Sequence, residues 1–223
     1  MQDSHETGLR RMLDEVRADF GDTARLTGCA RPSAAVEAAL AAVPRHRFVP
    51  EAWRLHAYEN RPLPIGHGQT ISQPFIVALM TELLALKPGA RVLEIGTGCG
   101  WQAAVLAAMG AQVTSLEIVP ALAKQAAATL AELGIRGVEV HEADGHAGWP
   151  AGAPYDGIIA TAAAPELPAA WTEQLAPGGR LVAPLGTPGG DQGLVLLHKH
   201  VDGRIERCEV LGVRFVPLTG RTP

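Results

Sequence analysis

The chain has 223 residues, which suits one large core with an N-terminal attachment, since two independent cores would each be small. Hydrophobic residues make up 47% and charged residues 19%, a balance that excludes a disordered chain. The net charge of -4 and the scattered arginines leave no basic footprint for nucleic acid, and no apolar run is long enough to span a bilayer.

Leu9, Met12, Leu13, Val16 and Phe20 recur at helical spacing, as do Val36, Leu40 and Val43 before Pro44, so two short helices are predicted first. Pro44 to Pro74 carries five prolines and little periodicity. It predicts an extended segment over the domain, with Trp53, Leu55, Tyr58, Leu63 and Ile65 as anchors. Phe75 to Leu86 is amphipathic, with Pro74 at its first turn and Gly89 after its end. Strands and helices then alternate. The candidate strands are Arg91 to Ile95, Gln112 to Glu117, Gly137 to His141, Tyr155 to Thr161 and Arg180 to Pro184. Helices fall at Trp101 to Met109, Pro120 to Leu133 and Pro168 to Leu175. This rhythm predicts an α/β fold, a doubly wound Rossmann-like sheet that is mostly parallel. Leu194 to His200 and Arg204 to Phe215 flank the turn dipeptide Asp202-Gly203, so the sheet should end in an antiparallel hairpin.

The stretch RVLEIGTGCGWQAA, Arg91 to Ala104, runs from a buried strand through a glycine turn into a helix. Gly96, Gly98 and Gly100 follow GxGxG spacing rather than the GxGxxG of dinucleotide folds, and Thr97 sits between them. Glu94 precedes the turn, where a carboxylate would repel pyrophosphate and favour a sulfonium and an α-amino group. Glu117 ends the next strand and can accept from two ribose hydroxyls, while Asp144-Gly145 follows the third and offers an acceptor for an adenine amine beside room for its ring. Each motif alone is compatible with an ordinary turn. Their joint placement predicts an S-adenosyl-L-methionine site. Cys99 is read as a small residue in the loop, and the three cysteines show neither disulfide nor zinc spacing. His198 and His200 alternate on a predicted strand, but with no further carboxylate in the pattern an exposed edge is the favoured reading and no metal is expected. The four tryptophans are read as packing anchors. Met1 to Gly8 lacks the apolar core of a signal peptide, so a cytoplasmic location is expected, with a monomer as the expected state.

YENRPLPIGHGQTISQPFIVA, Tyr58 to Ala78, closely resembles the substrate-side segment of protein-L-isoaspartate O-methyltransferases. The resemblance extends to PRHRFVPE at Pro44, MTELL at Met80, VLEIGTGCGWQAAVLA at Val92 and APYDGIIATAAAPELP at Ala153. It also takes in the DG and GWP of Asp144 to Pro150, LAPGGRLVAPLG at Leu175 and VRFVPLT at Val213. Cys99 and Trp101 stand where the family usually has Ser and often Tyr. The resemblance covers nearly all the chain beyond about residue 30, and one methyltransferase domain is expected over residues 1–223, with 1–74 as N-terminal helices and substrate segment and 75–223 as the cofactor-binding core. It implies Ser72, in TISQP, as the active-site residue, with Thr70, Ile71, Gln73, Val216 and Thr219 holding substrate. The implied substrates are isoaspartyl proteins and peptides. Relatives that methylate ordinary aspartate in a dedicated peptide, and a cofactor-binding module without catalysis, remain as alternatives. The residues themselves agree with a methyl acceptor that needs no strong base, because a carboxylate is already ionised at neutral pH, and no GxSxG elbow surrounds Ser72. Ser72 and Gln73 precede a predicted helix, whose N-terminus favours an anion, and a simple capping role for Ser72 is the competing possibility.

Overall fold

The computed structural model describes residues 2–187 and 189–220. It begins with α1 (Gln2–Thr27) and α2 (Ala34–Ala42). The first is not short. Its 26 residues pass through Gly21 with Arg10–Glu6, Arg11–Glu15 and Arg17–Asp14 pairs along the exposed side, and it stops where Gly28 takes φ 71°. The proline-rich stretch is also more ordered than its sequence suggests. It forms 3-10 turns at Arg45–Arg47 and Glu51–His56, then a hairpin of β1 (Leu63–Gly66) and β2 (Gln69–Ile71). Tyr58, Leu63 and Ile65 are buried and Trp53 is partly so, whereas Leu55 is 87% exposed, turned to solvent by the tight second turn.

The next helix is α3 (Pro74–Leu84), ended by Ala85 at φ 49°. Asn60 caps it: its Oδ1 accepts from Phe75 N at 3.0 Å, while its Nδ2 donates to Asp19 on α1 at 2.8 Å. Then follow β3 (Arg91–Ile95), α4 (Trp101–Ala108), β4 (Gln112–Glu117), α5 (Pro120–Glu132) and β5 (Val138–Glu142). The chain continues through β6 (Tyr155–Ala160), α6 (Ala169–Gln174), β7 (Leu175–Gly186), β8 (Gln192–Lys199) and β9 (Ile205–Val213). The sheet order is β5-β4-β3-β6-β7-β8-β9, parallel through β7 and antiparallel for the last two strands.

Both faces of the parallel strands are covered, which explains their near-continuous apolar runs. Val92, Val113, Ile159 and Val182 join the core beneath α1 to α5, and Leu93, Ile95, Ile158 and Leu181 join the one beneath α6. Strand order reverses between β3 and β6, so the ends of β3, β4 and β6 open at a switch point where ligands bind in such sheets.

The final expected strand ends two residues early, at Val213. Gln192 then takes over the pairing: its Oε1 accepts from Phe215 N at 2.6 Å and its Nε2 donates to Phe215 O at 3.2 Å. Beyond it the chain turns back across the strand ends, where Ala163 N donates to Val216 O at 2.8 Å and Leu218 N donates to Ala163 O at 2.7 Å. Among the described residues no helix is long and apolar enough to cross a membrane.

Gly100 caps α4 at φ 88°, and a Cβ there would lie 3.3 Å from Ala126 and 3.4 Å from Leu130 on α5. Gly100→Ala should therefore lower stability by about 1–3 kcal/mol in urea unfolding; an unchanged midpoint would show that the α4–α5 contact yields freely.

Candidate active site

A cleft opens at the switch point, beyond the carboxyl ends of β3, β4 and β6. One wall is the loop from Gly96 to Cys99, a second is Leu116, Glu117 and Ile118, and Ala143 with Gly145 forms a third. Thr161 and Ala162 extend β6 into it, and Gln69 to Ser72 and Val216 to Thr219 close the remaining sides. Thr70, Ile71, Ser72, Val216 and Thr219 thus meet Gly96, Thr97, Gly98, Glu117 and Gly145 around one space.

Glu117 lines the cleft and holds the loop. One carboxylate oxygen accepts from Gly98 N at 2.7 Å and the other from Val119 N at 2.9 Å. Each oxygen keeps further lone-pair capacity for a ligand hydroxyl. Among the described lining residues there is no lysine, arginine or histidine, so the cleft offers an anionic wall to a cationic ligand and nothing to a pyrophosphate. The wall at Ala143 and Gly145 is apolar. Gly145 is packed so closely that a Cβ would fall 2.4 Å from Ile95 Cγ2, and its carbonyl accepts from Trp171 Nε1 at 2.8 Å.

Three residues expected at the cofactor are not among those lining the cleft. Glu94 is fully buried beneath the loop rather than on the cleft wall, because it stands level with Ser115 inside the sheet, two residues short of the strand end where Glu117 reaches the cleft. Its carboxyl accepts from Ser115 Oγ, which lies 2.5 Å from Thr97 Oγ1. Burial first, and Glu117 after it, push Glu94 up to about 8, so it is largely neutral at pH 7. Glu117, not Glu94, is the carboxylate on the cleft wall. Gly100 serves the α4–α5 contact instead of lining the cleft. Asp144 stands between the lining residues Ala143 and Gly145, where its Oδ1 accepts from His146 N at 3.0 Å.

Ser72 occupies the decisive position. It lines the cofactor cleft and also a second, wider groove formed by Pro62, Gln73, Ile76, Asp191, Leu211 to Val216 and neighbours. Thr70, Thr161 and Val216 share this junction, while Gln73 faces the groove alone. Helix capping does not occupy Ser72: Asn60 supplies that bond, and no described residue engages the Ser72 hydroxyl.

The motif-based reading passed over Thr161, Asn60 and Arg45. Thr161 had a usable signal, its place at the end of a central strand, and its Oγ1 donates to Gly96 O. Cys99 is buried and its thiol is pushed up to about 11 by that burial, which leaves it a neutral, unreactive group. His198 and His200 gain a carboxylate from the neighbouring strand: with Glu206 they bring donor atoms within 4.8 Å of one another, and His200 pairs with Glu206 at 3.1 Å. This group sits beside Arg180, near the opposite end of β7 from the cleft.

The family model for protein-L-isoaspartate(D-aspartate) O-methyltransferase matches residues 25–223. The chain belongs to this family. A protein-L-isoaspartate O-methyltransferase of Gloeobacter violaceus is 57% identical over 85% of this chain and 92% of its own length. One from Cupriavidus necator is 49% identical over 94% of this chain and 81% of its own. A solved protein-L-isoaspartate O-methyltransferase superposes with TM-score 0.81 at 30% identity, covering 93% of this chain and 66% of that one. A Plasmodium falciparum structure crystallised with S-adenosyl-L-homocysteine reaches TM-score 0.77 at 23% identity, with 96% and 98% coverage, and at that identity supports the fold. As a family member the chain is an O-methyltransferase dependent on S-adenosyl-L-methionine.

The Glu94 carboxyl gives a pH signature. It is raised above its unfolded value of 4.5, so between pH 4.5 and about 8 the unfolded state holds fewer protons and stability falls as pH rises. Relative to the parent, Glu94→Gln should gain on the order of 1–4 kcal/mol between pH 5 and 8 in urea titrations; a pH-independent difference would refute a neutral buried Glu94. In calorimetry with S-adenosyl-L-homocysteine, Glu117→Gln should weaken binding by about 10–100-fold.

Proposed function

We propose that the chain methylates the α-carboxylate of L-isoaspartyl residues in damaged proteins and peptides, with Ser72 aiming that carboxylate. The observation that carries this reading is the position of Ser72 at the junction of the two spaces. The inner cleft would hold the cofactor, by Glu117, the loop at Gly96 to Gly98 and the apolar walls near Gly145. The outer groove has room for a polypeptide.

When bound, S-adenosyl-L-methionine supplies a methyl group activated by its sulfonium. The protein's task is placement. An isoaspartyl carboxylate is ionised near neutral pH and needs no base, so catalysis consists of orienting it and excluding water. The Ser72 hydroxyl donates a hydrogen bond to one carboxylate oxygen and leaves the other free to attack. Residues 214–219, brought back from the sheet edge, and the β1–β2 hairpin form opposite sides of the opening, where Thr70, Ile71, Val216 and Thr219 hold the substrate backbone. In isoaspartate the methylene lies in the main chain and the carboxylate is carried directly on it, one carbon shorter than the aspartyl branch, so selection falls to how the groove seats that longer main chain beside Ser72. The product ester then loses methanol when the following main-chain nitrogen attacks its carbonyl, and hydrolysis of the succinimide returns part of the material to normal aspartate. A monomer acting in the cytoplasm is the setting assigned here.

Matched isoaspartyl and aspartyl versions of one peptide separate repair from methylation of ordinary aspartate: label from the methyl donor should pass to the first alone, and equal transfer to both would overturn the reading. Ser72→Ala should lower kcat by about 10–100-fold while S-adenosyl-L-homocysteine affinity stays within about threefold.

A further inference from the structure

Arg45 is the largest charged side chain that is fully buried, at 0% exposure. Its guanidinium meets main-chain carbonyls. Nη1 donates to Ala57 O and, at 3.5 Å, to Glu59 O; Nη2 donates to Arg61 O at 3.1 Å and to Ser72 O at 2.9 Å. The plane also lies over the Trp101 ring, 4.9 Å from its centroid. Glu59, the nearby carboxylate, is taken by His56 and Arg61.

These contacts connect two parts of the site that have no covalent reason to keep a set distance. Trp101 begins α4 directly after the glycine loop and lines the cofactor cleft, while Ser72 stands at the mouth between cleft and groove. Between them lies the stretch from Ala57 to Ser72, which includes the β1–β2 hairpin. Its carbonyls converge on one planar fork. We propose that Arg45 is a positioning residue for methyl transfer, its guanidinium setting the Ser72 main chain at a defined distance from the cofactor loop. This inference rests on the isoaspartyl-methyltransferase reading above.

Chemistry favours a positioning role over mere filling of space. Burial lowers Arg45 only to about 10, so the group remains a cation at neutral pH and strengthens every carbonyl bond it makes. An apolar side chain of similar volume would fill the space without the desolvation cost of a buried cation. The Nε atom has no acceptor, so the fork is directed at the strap carbonyls rather than fully satisfied for stability. A lysine ammonium keeps the charge but cannot bridge Ala57, Arg61 and Ser72 while stacking on Trp101.

A double-mutant cycle distinguishes positioning from bulk stability, because groups that act through one another give non-additive losses. With an isoaspartyl peptide and saturating methyl donor, Arg45→Lys should lower kcat by roughly 10–100-fold, the scale of an ångström-sized misplacement. In a Ser72→Ala background the same substitution should cost less than about threefold, and S-adenosyl-L-homocysteine affinity should change by less than about threefold in both. Rates are normalised to the folded fraction from near-ultraviolet circular dichroism, and Arg45→Gln serves as the second variant if the lysine protein does not fold. Equal losses in both backgrounds, or an unchanged kcat, would overturn the proposal. A parent protein inactive on isoaspartyl peptide would instead overturn the functional reading itself.

Discussion

One cation buried without a countercharge ties the catalytic end of this molecule together. Removing a guanidinium from water costs several kcal/mol, and each hydrogen bond to a charged donor returns about 1.5–3 kcal/mol. The carbonyls of Ala57, Glu59, Arg61 and Ser72 are therefore not incidental neighbours of Arg45 but the acceptors that make its burial tolerable. The same arrangement orders a proline-rich stretch that has too little regular structure to hold itself. Asn60 adds a second tie from that stretch, capping α3 and reaching α1.

The cofactor side is built on a different principle. There the loop is held by acceptors below and beside it: Glu117 takes the Gly98 and Val119 amides, and the Glu94, Ser115 and Thr97 side chains form a buried chain underneath. Burial, with Glu117 nearby, keeps Glu94 largely neutral beneath the loop, while Glu117 is the carboxylate that lines the cleft. A preorganised loop of this kind need not rearrange to receive a ligand. The C-terminal residues complete the enclosure by pairing with Ala163 instead of extending the sheet edge.

The strand and helix alternation from Arg91 onward was legible because parallel strands buried on both faces leave long apolar runs with turn residues between them. Ser72 and the segment around it were legible through family resemblance rather than periodicity. The length of α1 was hidden because ion pairs, not apolar spacing, occupy its exposed side. The β1–β2 hairpin was hidden by prolines that suggested a plain extended path.

Local chemistry is thus written along the chain: glycines where the backbone must turn, acidic residues at strand ends, and a serine ahead of a helix. Which of these groups face a ligand is a property of the assembled sheet. Glu94 and Glu117 look equivalent as carboxylates near a loop and share one face of the sheet, but the register sets Glu94 level with Ser115, beneath the loop, and Glu117 two residues further on, at the strand end that opens on the cleft. Arg45 reads as one more surface arginine until distant carbonyls converge on it. Burial, protonation and partner choice depend on contacts between residues far apart in sequence, and those exist only once the strands have paired and the helices have closed over them.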